Sequence, residues 1–190
     1  MVAGLLVTAL AYAIGSISFG YLVVRWRTAR DIRGLGTGSA GARNVARQLG
    51  LGWGVVSAIL DVAKGTAATA VAVLAAPDWL IPAAAAVVAG HVWPAPLRFR
   101  GGRGIAPAFG AAIVIDPFLA AVALAVLLGV TAVTRRSMAG YAAGVVVAPL
   151  VVVLEGRDAR VVAAVLAVVA VVLIGHAPLL GRLRPLGAGR

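Results

Sequence analysis

The chain has 190 residues, of which 62% are hydrophobic and only 12% are charged, and its mean hydropathy is +1.04. These values exclude an ordinary water-soluble domain and predict an integral membrane protein in which residues 1–190 form a single all-α domain. The net charge of +11 would suggest nucleic acid in a soluble protein, but in a membrane protein it bears on orientation, so we expect no nucleic-acid partner.

Apolar segments between charged residues, prolines and glycines predict a bundle of seven transmembrane helices. Their ranges are 2–24, 53–75, 79–96, 104–115, 117–134, 139–154 and 161–175. The first segment has no basic residues before it and contains Ser16 and Ser18, so we interpret it as a retained helix and not as a cleaved signal peptide. The fourth is short, and Asp116 followed by Pro117 predicts a break after it.

Arginine placement predicts the orientation of these helices. If all seven segments cross, one side of the membrane carries only Arg157 and Arg160, beside Glu155 and Asp158. The other side carries Arg25, Arg27, Arg30, Arg33, Arg43, Arg47, Arg98, Arg100, Arg103, Arg135, Arg136, Arg182, Arg184 and Arg190. Because cytoplasmic loops are enriched in arginine, the N-terminus is expected outside and the C-terminus in the cytoplasm. A six-helix alternative, with residues 104–134 as one crossing, weakens this asymmetry.

The sequence GLGTGSAGARNVARQLG, residues 34–50, is the first of two loops rich in glycine and arginine, and we call it the first loop. Its G-x-G-x-x-G run lacks the preceding strand of a dinucleotide site, which excludes that fold. Glycine-exposed amides, hydroxyls and guanidinium groups are typical of phosphate binding, and a helix starting near Ala42 would favour an anion at its N-terminus. The candidate phosphate ligands are Gly36, Gly38, Ser39, Arg43 and Arg47, with Thr37 and Asn44 as additional polar groups.

The second loop, LRFRGGRG, residues 97–104, repeats this composition without an acidic residue. Its candidate phosphate ligands are Arg100, Gly101, Gly102 and Arg103. For both loops the alternative is that the arginines serve membrane topology only, although topology does not explain the glycines or Asn44.

Polar residues within the apolar segments are costly in a membrane and therefore informative. Asp61 and Lys64 lie three residues apart on one helix face, which is compatible with a charge pair that orients the helix or with a phosphate ligand role for Lys64. His91 precedes Trp93 and Pro94, and a structural contact is its expected role. His176 lies at the end of the last segment in the layer of both loops, where it is a candidate proton acceptor or an interfacial residue.

Four blocks of sequence, in unchanged order from about Ala11 to Arg184, resemble the bacterial acyl-phosphate:glycerol-3-phosphate acyltransferase family. They are AYAIGSISFGYLVVR, the first loop, LDVAKG and GHVWPAPLRFRGGRGIAPAFG, followed by a histidine before a basic tail. The resemblance implies a seven-helix enzyme of the cell (inner) membrane whose active site faces the cytoplasm. It implies transfer of a fatty acyl group from acyl phosphate to the 1-hydroxyl of glycerol 3-phosphate, giving lysophosphatidic acid for phospholipid synthesis. It also implies no metal, no cofactor, no acyl-CoA and no obligate protein partner, with membrane lipids around the bundle.

The same resemblance assigns roles to residues of this sequence. His176, Thr37 and Asn44 become the catalytic candidates, while Arg47, Arg100 and Arg103 match the family's phosphate-binding positions, the last two in place of lysine. The departures from the family pattern are Ser39 for asparagine, Arg43 for threonine, Pro107 for threonine, and the segment Ala177, Pro178 and Leu179 after the histidine.

Two other functions remain open at this point. A non-catalytic or transport-type relative would bind phosphorylated lipids or anions without turnover. The family's active-site asparagine is absent from the segment after His176, and this departure favours the non-catalytic alternative. A phosphotransferase acting on a lipid headgroup would need a cluster of metal-binding carboxylates. The 6 acidic residues of the sequence do not form such a cluster.

Overall fold

The computed structural model describes residues 1–180, which form nine α-helices and no β-strand. The predicted cytoplasmic arginines Arg182, Arg184 and Arg190 lie outside the described residues. The helices are α1 (Val2–Ser16), α2 (Phe19–Thr28), α3 (Ala42–Leu49), α4 (Leu51–Ala75), α5 (Leu80–Val92), α6 (Ile105–Ile115), α7 (Pro117–Thr134), α8 (Ser137–Leu154) and α9 (Ala159–Leu180).

Six segments of the described chain are long and apolar enough to cross a membrane. They are Val2–Thr28, Leu51–Ala75, Pro77–Leu97, Pro117–Thr134, Ser137–Leu154 and Ala159–Ala177. The remaining apolar helix, α6, has only 11 residues. These elements follow the predicted segments closely, and the principal extension is α9, which continues past the predicted end at residue 175.

The first predicted segment is not one continuous helix, because Ile17 and Ser18 adopt extended backbone conformations between α1 and α2. The break leaves backbone carbonyls without helical partners inside the bundle, which is costly unless another donor reaches them. The Lys64 ammonium on α4 is that donor, since its Nζ lies 2.9 Å from the carbonyl oxygen of Gly15 and 2.5 Å from that of Ile17. A buried lysine therefore stabilises the break.

Small residues bring α1 and α5 into close backbone contact. A Cβ added at Gly15 would collide with the backbone of Val87, and one at Gly90 would collide with the carbonyl oxygen of Tyr12. This is the packing expected of membrane helices, which associate through close fit because lipid supplies no hydrophobic driving force between them. The Ser16 hydroxyl donates to the carbonyl oxygen of Tyr12 in its own helix at 2.9 Å.

A second close contact joins α4 to α6. A Cβ at Gly65 would meet the backbone of Pro107, and one at Gly110 would meet the carbonyl oxygen of Val62. Because α6 follows the second loop directly, this contact fixes the position of that loop relative to α4.

Ion pairs connect three turns at one end of the bundle. The Asp116 carboxylate accepts hydrogen bonds from the backbone amides of Phe118 and Leu119 at 3.0 Å, which caps α7, and pairs with Arg157 at 2.7 Å. Asp78 pairs with Arg160 at 3.1 Å. The α4–α5, α6–α7 and α8–α9 turns therefore lie together, and the break predicted at Asp116 is confirmed.

We expect Gly90→Ala to lower the free energy of unfolding by about 1–3 kcal/mol, because the added methyl group must push α1 and α5 apart. Gly129→Ala on α7 is the matched control, since no atom lies within 4 Å of its added Cβ. It should leave stability unchanged or raise it by up to about 1 kcal/mol. Circular dichroism during denaturation in detergent measures both variants, and equal stability of the two would contradict the packing described.

Candidate active site

The two loops are bonded to each other and to the end of α5. The Ala40 amide donates to the carbonyl oxygen of Gly101 at 3.1 Å, which joins the first loop to the second. The amides of Gly101 and Gly102 donate to the carbonyl oxygens of Val92 and His91 at 3.1 and 3.0 Å. Both loops are thus fixed to the helix bundle at one place.

Arg33 connects the segment before the first loop to the start of the second. Its guanidinium donates to the Asp31 carboxylate at 2.6 Å and to the carbonyl oxygen of Leu97 at 2.6 Å. These hydrogen bonds from Arg33 hold the pKa of the Asp31 carboxyl below its ordinary value. Because its donors are used within the protein, Arg33 stabilises the loops and is not a candidate ligand for substrate.

Asn44, at the start of α3, organises the first loop from inside. Its Nδ2 donates to the carbonyl oxygens of Leu35 and Ser39 at 2.9 Å and to that of Ile32 at 3.3 Å. Its Oδ1 accepts from the Thr37 amide at 3.1 Å. The side chain is 1% exposed, so this buried amide replaces the secondary structure that the loop lacks.

A cavity of about 450 Å³ opens between the loops and helices α6 to α9. Its polar end includes Thr37, Ser39, Arg43, Asn44, Arg103 and His176. Two buried polar side chains that the sequence did not predict there, Asp61 and His91, complete this end of the wall. The positive charges, hydroxyls and imidazole match the requirements of a phosphorylated ligand with an alcohol group.

The rest of the cavity is an apolar chamber. It is lined by residues that include Phe109, Leu119, Leu127, Tyr141, Val165 and Val172. Four different helices contribute to this lining, so the chamber extends through the bundle next to the polar end. A ligand that fills both parts must therefore combine an anionic head with a hydrocarbon chain.

His176 lies within α9 and has its ring orientation fixed by its own helix. Its Nδ1 is 2.8 Å from the carbonyl oxygen of Val172. A carbonyl only accepts, so Nδ1 donates in this hydrogen bond, and in a neutral imidazole Nε2 then carries the lone pair that can receive a proton. Arg103 Nη1 donates to the carbonyl oxygen of Gly175 at 2.8 Å, which places the second loop beside this histidine.

Comparison with known proteins identifies the family. A family profile described as glycerol-3-phosphate acyltransferase matches residues 5–185. The chain belongs to this family. A glycerol-3-phosphate acyltransferase of Thermus thermophilus is 39% identical over 177 residues, covering 92% of this chain and 88% of the relative. One of Geobacter sulfurreducens is 35% identical over 182 residues, covering 95% and 93%.

A solved structure of a glycerol-3-phosphate acyltransferase shares the fold. The crystal structure of PlsY, an integral membrane glycerol 3-phosphate acyltransferase, in its glycerol 3-phosphate form superposes with a TM-score of 0.88. The two sequences are 30% identical, and the match covers 95% of this chain and 91% of PlsY. The protein is therefore an all-helical integral membrane protein with the fold of this acyltransferase family.

Several predicted ligands of this family member lie outside the cavity lining. Arg47 and Arg100 are exposed, and Gly36 and Gly38 have φ angles of +54° and +71°, which suit glycine in the turns of the first loop. Gly101 and Gly102 are also absent from the lining. A Cβ at either of them would collide with His91, so their small size serves the docking of the second loop.

Lys64 lies beneath the cavity wall and not on it. Its ammonium is 2.8 Å from Asp61 Oδ1 and 3.0 Å from His91 Nδ1, in addition to its contacts with α1. Of the two roles that the sequence left open, these contacts favour the charge pair over direct phosphate binding. Asp61 was recognisable in sequence as a polar residue in an apolar helix, whereas the position of His91 depends on the fold.

We expect Asn44→Ala to loosen the first loop, because four backbone groups lose a buried partner at about 1–3 kcal/mol for each group left unsatisfied. Hydrogen exchange of residues 32–41 in detergent should then accelerate, most clearly at the Thr37 amide.

Arg47→Ala is the control for this substitution, because Arg47 lies on the same helix and is exposed. Its exchange should resemble that of the unaltered protein. Unchanged protection of Thr37 in Asn44→Ala would contradict the organising role of this amide.

Proposed function

We propose that this protein transfers a fatty acyl group from acyl phosphate to the 1-hydroxyl of glycerol 3-phosphate, producing lysophosphatidic acid and inorganic phosphate. The observation that carries the proposal is the cavity, in which a cationic polar end meets an apolar chamber. Membership of the glycerol-3-phosphate acyltransferase family supports the same reaction.

The phosphate groups are assigned to the polar end. Arg43 and Arg103 both line it and present guanidinium groups, which form strong charged hydrogen bonds with phosphate. The amides of Ala42 and Arg43, the first two of α3, have no acceptor within the helix and add donors at the same place. Cations and amides there stabilise the phosphate that leaves the donor as the acyl bond breaks.

His176 is assigned as the general base. The 1-hydroxyl oxygen of the acceptor attacks the carbonyl carbon of acyl phosphate, and the bond from that carbon to the phosphate oxygen breaks. His176 Nε2 takes the hydroxyl proton, and this proton then passes to the departing phosphate. Nδ1 remains hydrogen-bonded to Val172, which keeps the ring oriented throughout the transfer.

The remaining predicted residues take supporting roles. Thr37 lines the cavity, so we assign its hydroxyl to substrate contact. Asn44, which the sequence suggested as a catalytic group, is assigned as a positioning residue because backbone groups occupy both ends of its amide. Arg47 and Arg100 are assigned to attraction of anions toward the site, since both are exposed near it.

The apolar chamber is assigned to the acyl chain of the donor. Acyl phosphate combines a hydrocarbon chain with a phosphate head, and this cavity offers an environment for each. Since the donor is already activated, transfer requires alignment, a base and stabilisation of the leaving group, without a protein nucleophile.

Seven crossings of the inner membrane are proposed. The N-terminus lies outside, the C-terminus lies in the cytoplasm, and the active site faces the cytoplasm. The ion pairs Asp116–Arg157 and Asp78–Arg160 support this arrangement, because they gather three turns at the end that carries few arginines. Both loops and His176 lie at the other end, with the arginine-rich segments. In this topology α6 is a crossing in its own right.

We expect purified protein in lipid to release inorganic phosphate from acyl phosphate and glycerol 3-phosphate, to be inactive with acyl-CoA, and to be insensitive to chelators. His176→Ala should reduce kcat by about a hundredfold or more while glycerol 3-phosphate binding is retained, because the base is lost and the cationic end is not.

His176→Asn separates chemistry from structure in this assay, since its side-chain amide can still donate to Val172 while offering no comparable base. It should be as inactive as His176→Ala. Turnover with acyl-CoA would overturn the donor assignment, and binding of glycerol 3-phosphate without turnover of either donor would favour the non-catalytic alternative.

Single cysteines test the topology, because the chain has none of its own. Ala95→Cys, just before the second loop, and Ala159→Cys, at the start of α9, both replace exposed residues. In intact cells a membrane-impermeant thiol reagent should label position 159 and should reach position 95 only after the membrane is opened. Labelling of both from outside would exclude the proposed arrangement.

A further inference from the structure

Asp61 has one carboxylate oxygen that the protein does not use. The side chain is 1% exposed and lies on the cavity wall. Lys64 Nζ is 2.8 Å from Oδ1 but off the direction of a hydrogen bond, and His91 Nδ1 is 3.3 Å from the same oxygen. Within residues 1–180, no donor forms a hydrogen bond with Oδ2.

The surroundings of Asp61 keep this oxygen in a fixed position. Lys64 supplies the compensating positive charge and is itself bonded to the carbonyl oxygens of Gly15 and Ile17. A carboxylate held in this way can only accept hydrogen bonds. Because a buried acceptor without a donor is costly, a ligand group that donates is the natural partner for Oδ2.

Asp61 belongs to the same end of the cavity as the proposed general base. Its neighbour His91 accepts a hydrogen bond from the amide of Gly102 at 3.0 Å. The next residue of the second loop, Arg103, bonds the carbonyl oxygen of Gly175, which directly precedes His176. These contacts connect the segments that carry Asp61, Arg103 and His176, and all three residues line the same cavity.

The chemistry of these three groups selects different parts of an acceptor. A phosphate is attracted by Arg103 and Arg43 and repelled by a carboxylate, whereas a hydroxyl can donate to the carboxylate. The hydroxyl that reacts is assigned to His176, so the hydroxyl at Asp61 is the neighbouring one on the carbon chain.

We propose that Asp61 Oδ2 accepts a hydrogen bond from the 2-hydroxyl of glycerol 3-phosphate and thereby determines specificity for a vicinal diol phosphate. The inference rests on the proposed acyl transfer and identifies the residue that recognises the substituent on the second carbon of the acceptor. A site built to bind a substrate hydroxyl rejects an analogue that lacks it, because the buried polar group is then left unpaired.

The first test uses the unaltered protein with acyl phosphate and three acceptors. They are glycerol 3-phosphate, 3-hydroxypropyl phosphate, which lacks the 2-hydroxyl, and dihydroxyacetone phosphate, whose second carbon bears a carbonyl that can only accept. We expect kcat/KM to be lower by about tenfold or more for each of the two analogues.

The second test is Asp61→Asn, whose amide can donate to a ketone. The ratio of kcat/KM for glycerol 3-phosphate to that for dihydroxyacetone phosphate should fall by about tenfold or more in this variant. Asp116→Asn is the matched control, because Asp116 is also a buried aspartate but caps α7 outside the cavity lining. That ratio should be unchanged in the control even if the protein becomes less stable.

The outcomes separate this inference from the proposed function. Equal kcat/KM of the unaltered protein for all three acceptors would overturn the inference and leave acyl transfer intact, with water as the partner of Oδ2. The same would follow if Asp61→Asn lowered kcat/KM for all acceptors by one common factor, which is the result of a purely structural role. No turnover with any acceptor would overturn the proposed function itself. If Asp61→Asn does not fold, the kcat/KM values of the unaltered protein for the three acceptors decide whether the 2-hydroxyl is recognised.

Discussion

The Lys64 ammonium lies within 3.0 Å of four groups: the carbonyl oxygen of Gly15 on α1, that of Ile17 in the break after α1, the Asp61 carboxylate on α4 and the His91 ring on α5. In the interior of a membrane bundle, an interrupted helix needs an alternative donor, and a buried cation needs a counter-charge. Lys64 meets the first need and Asp61 meets the second. The break in the first membrane segment and the charge pair on α4 are therefore one arrangement, in which Lys64 bonds to both parts.

This arrangement extends to the candidate active site through short contacts. The backbone carbonyl oxygen of His91 accepts a hydrogen bond from the Gly102 amide, and the carbonyl oxygen of Gly101 accepts one from the Ala40 amide. The first loop is then held from within by Asn44. Residues 35–41 of the first loop and residues 98–104 of the second lie outside the helices, so their shape depends on these few partners. Such support from the bundle holds donors in place before a ligand binds, which is the basis of electrostatic preorganisation.

The sequence predicted most of the fold because hydropathy and proline or glycine positions are local signals. It did not predict the break at Ile17 and Ser18, since the donor that stabilises this break lies on another helix, at Lys64. The sequence predicted a catalytic role for Asn44. Its four backbone partners could not be predicted in the same way, because only the folded loop brings them to this side chain. His91 was expected to have a structural contact, and it does contact Asp61, but its place on the cavity wall depends on the docking of the second loop.

The length of α6 has a consequence for where the two substrates would meet. Its 11 residues extend about 16 Å, about half of a hydrocarbon core of roughly 30 Å. In the proposed topology the second loop must then lie below the membrane surface, beside the apolar chamber. Arginine is tolerated at this depth only with partners, and Arg103 has one in the carbonyl oxygen of Gly175. A recessed cationic loop brings a water-soluble phosphate down to the level of a membrane-bound acyl chain, so neither substrate has to leave its own phase before the reaction.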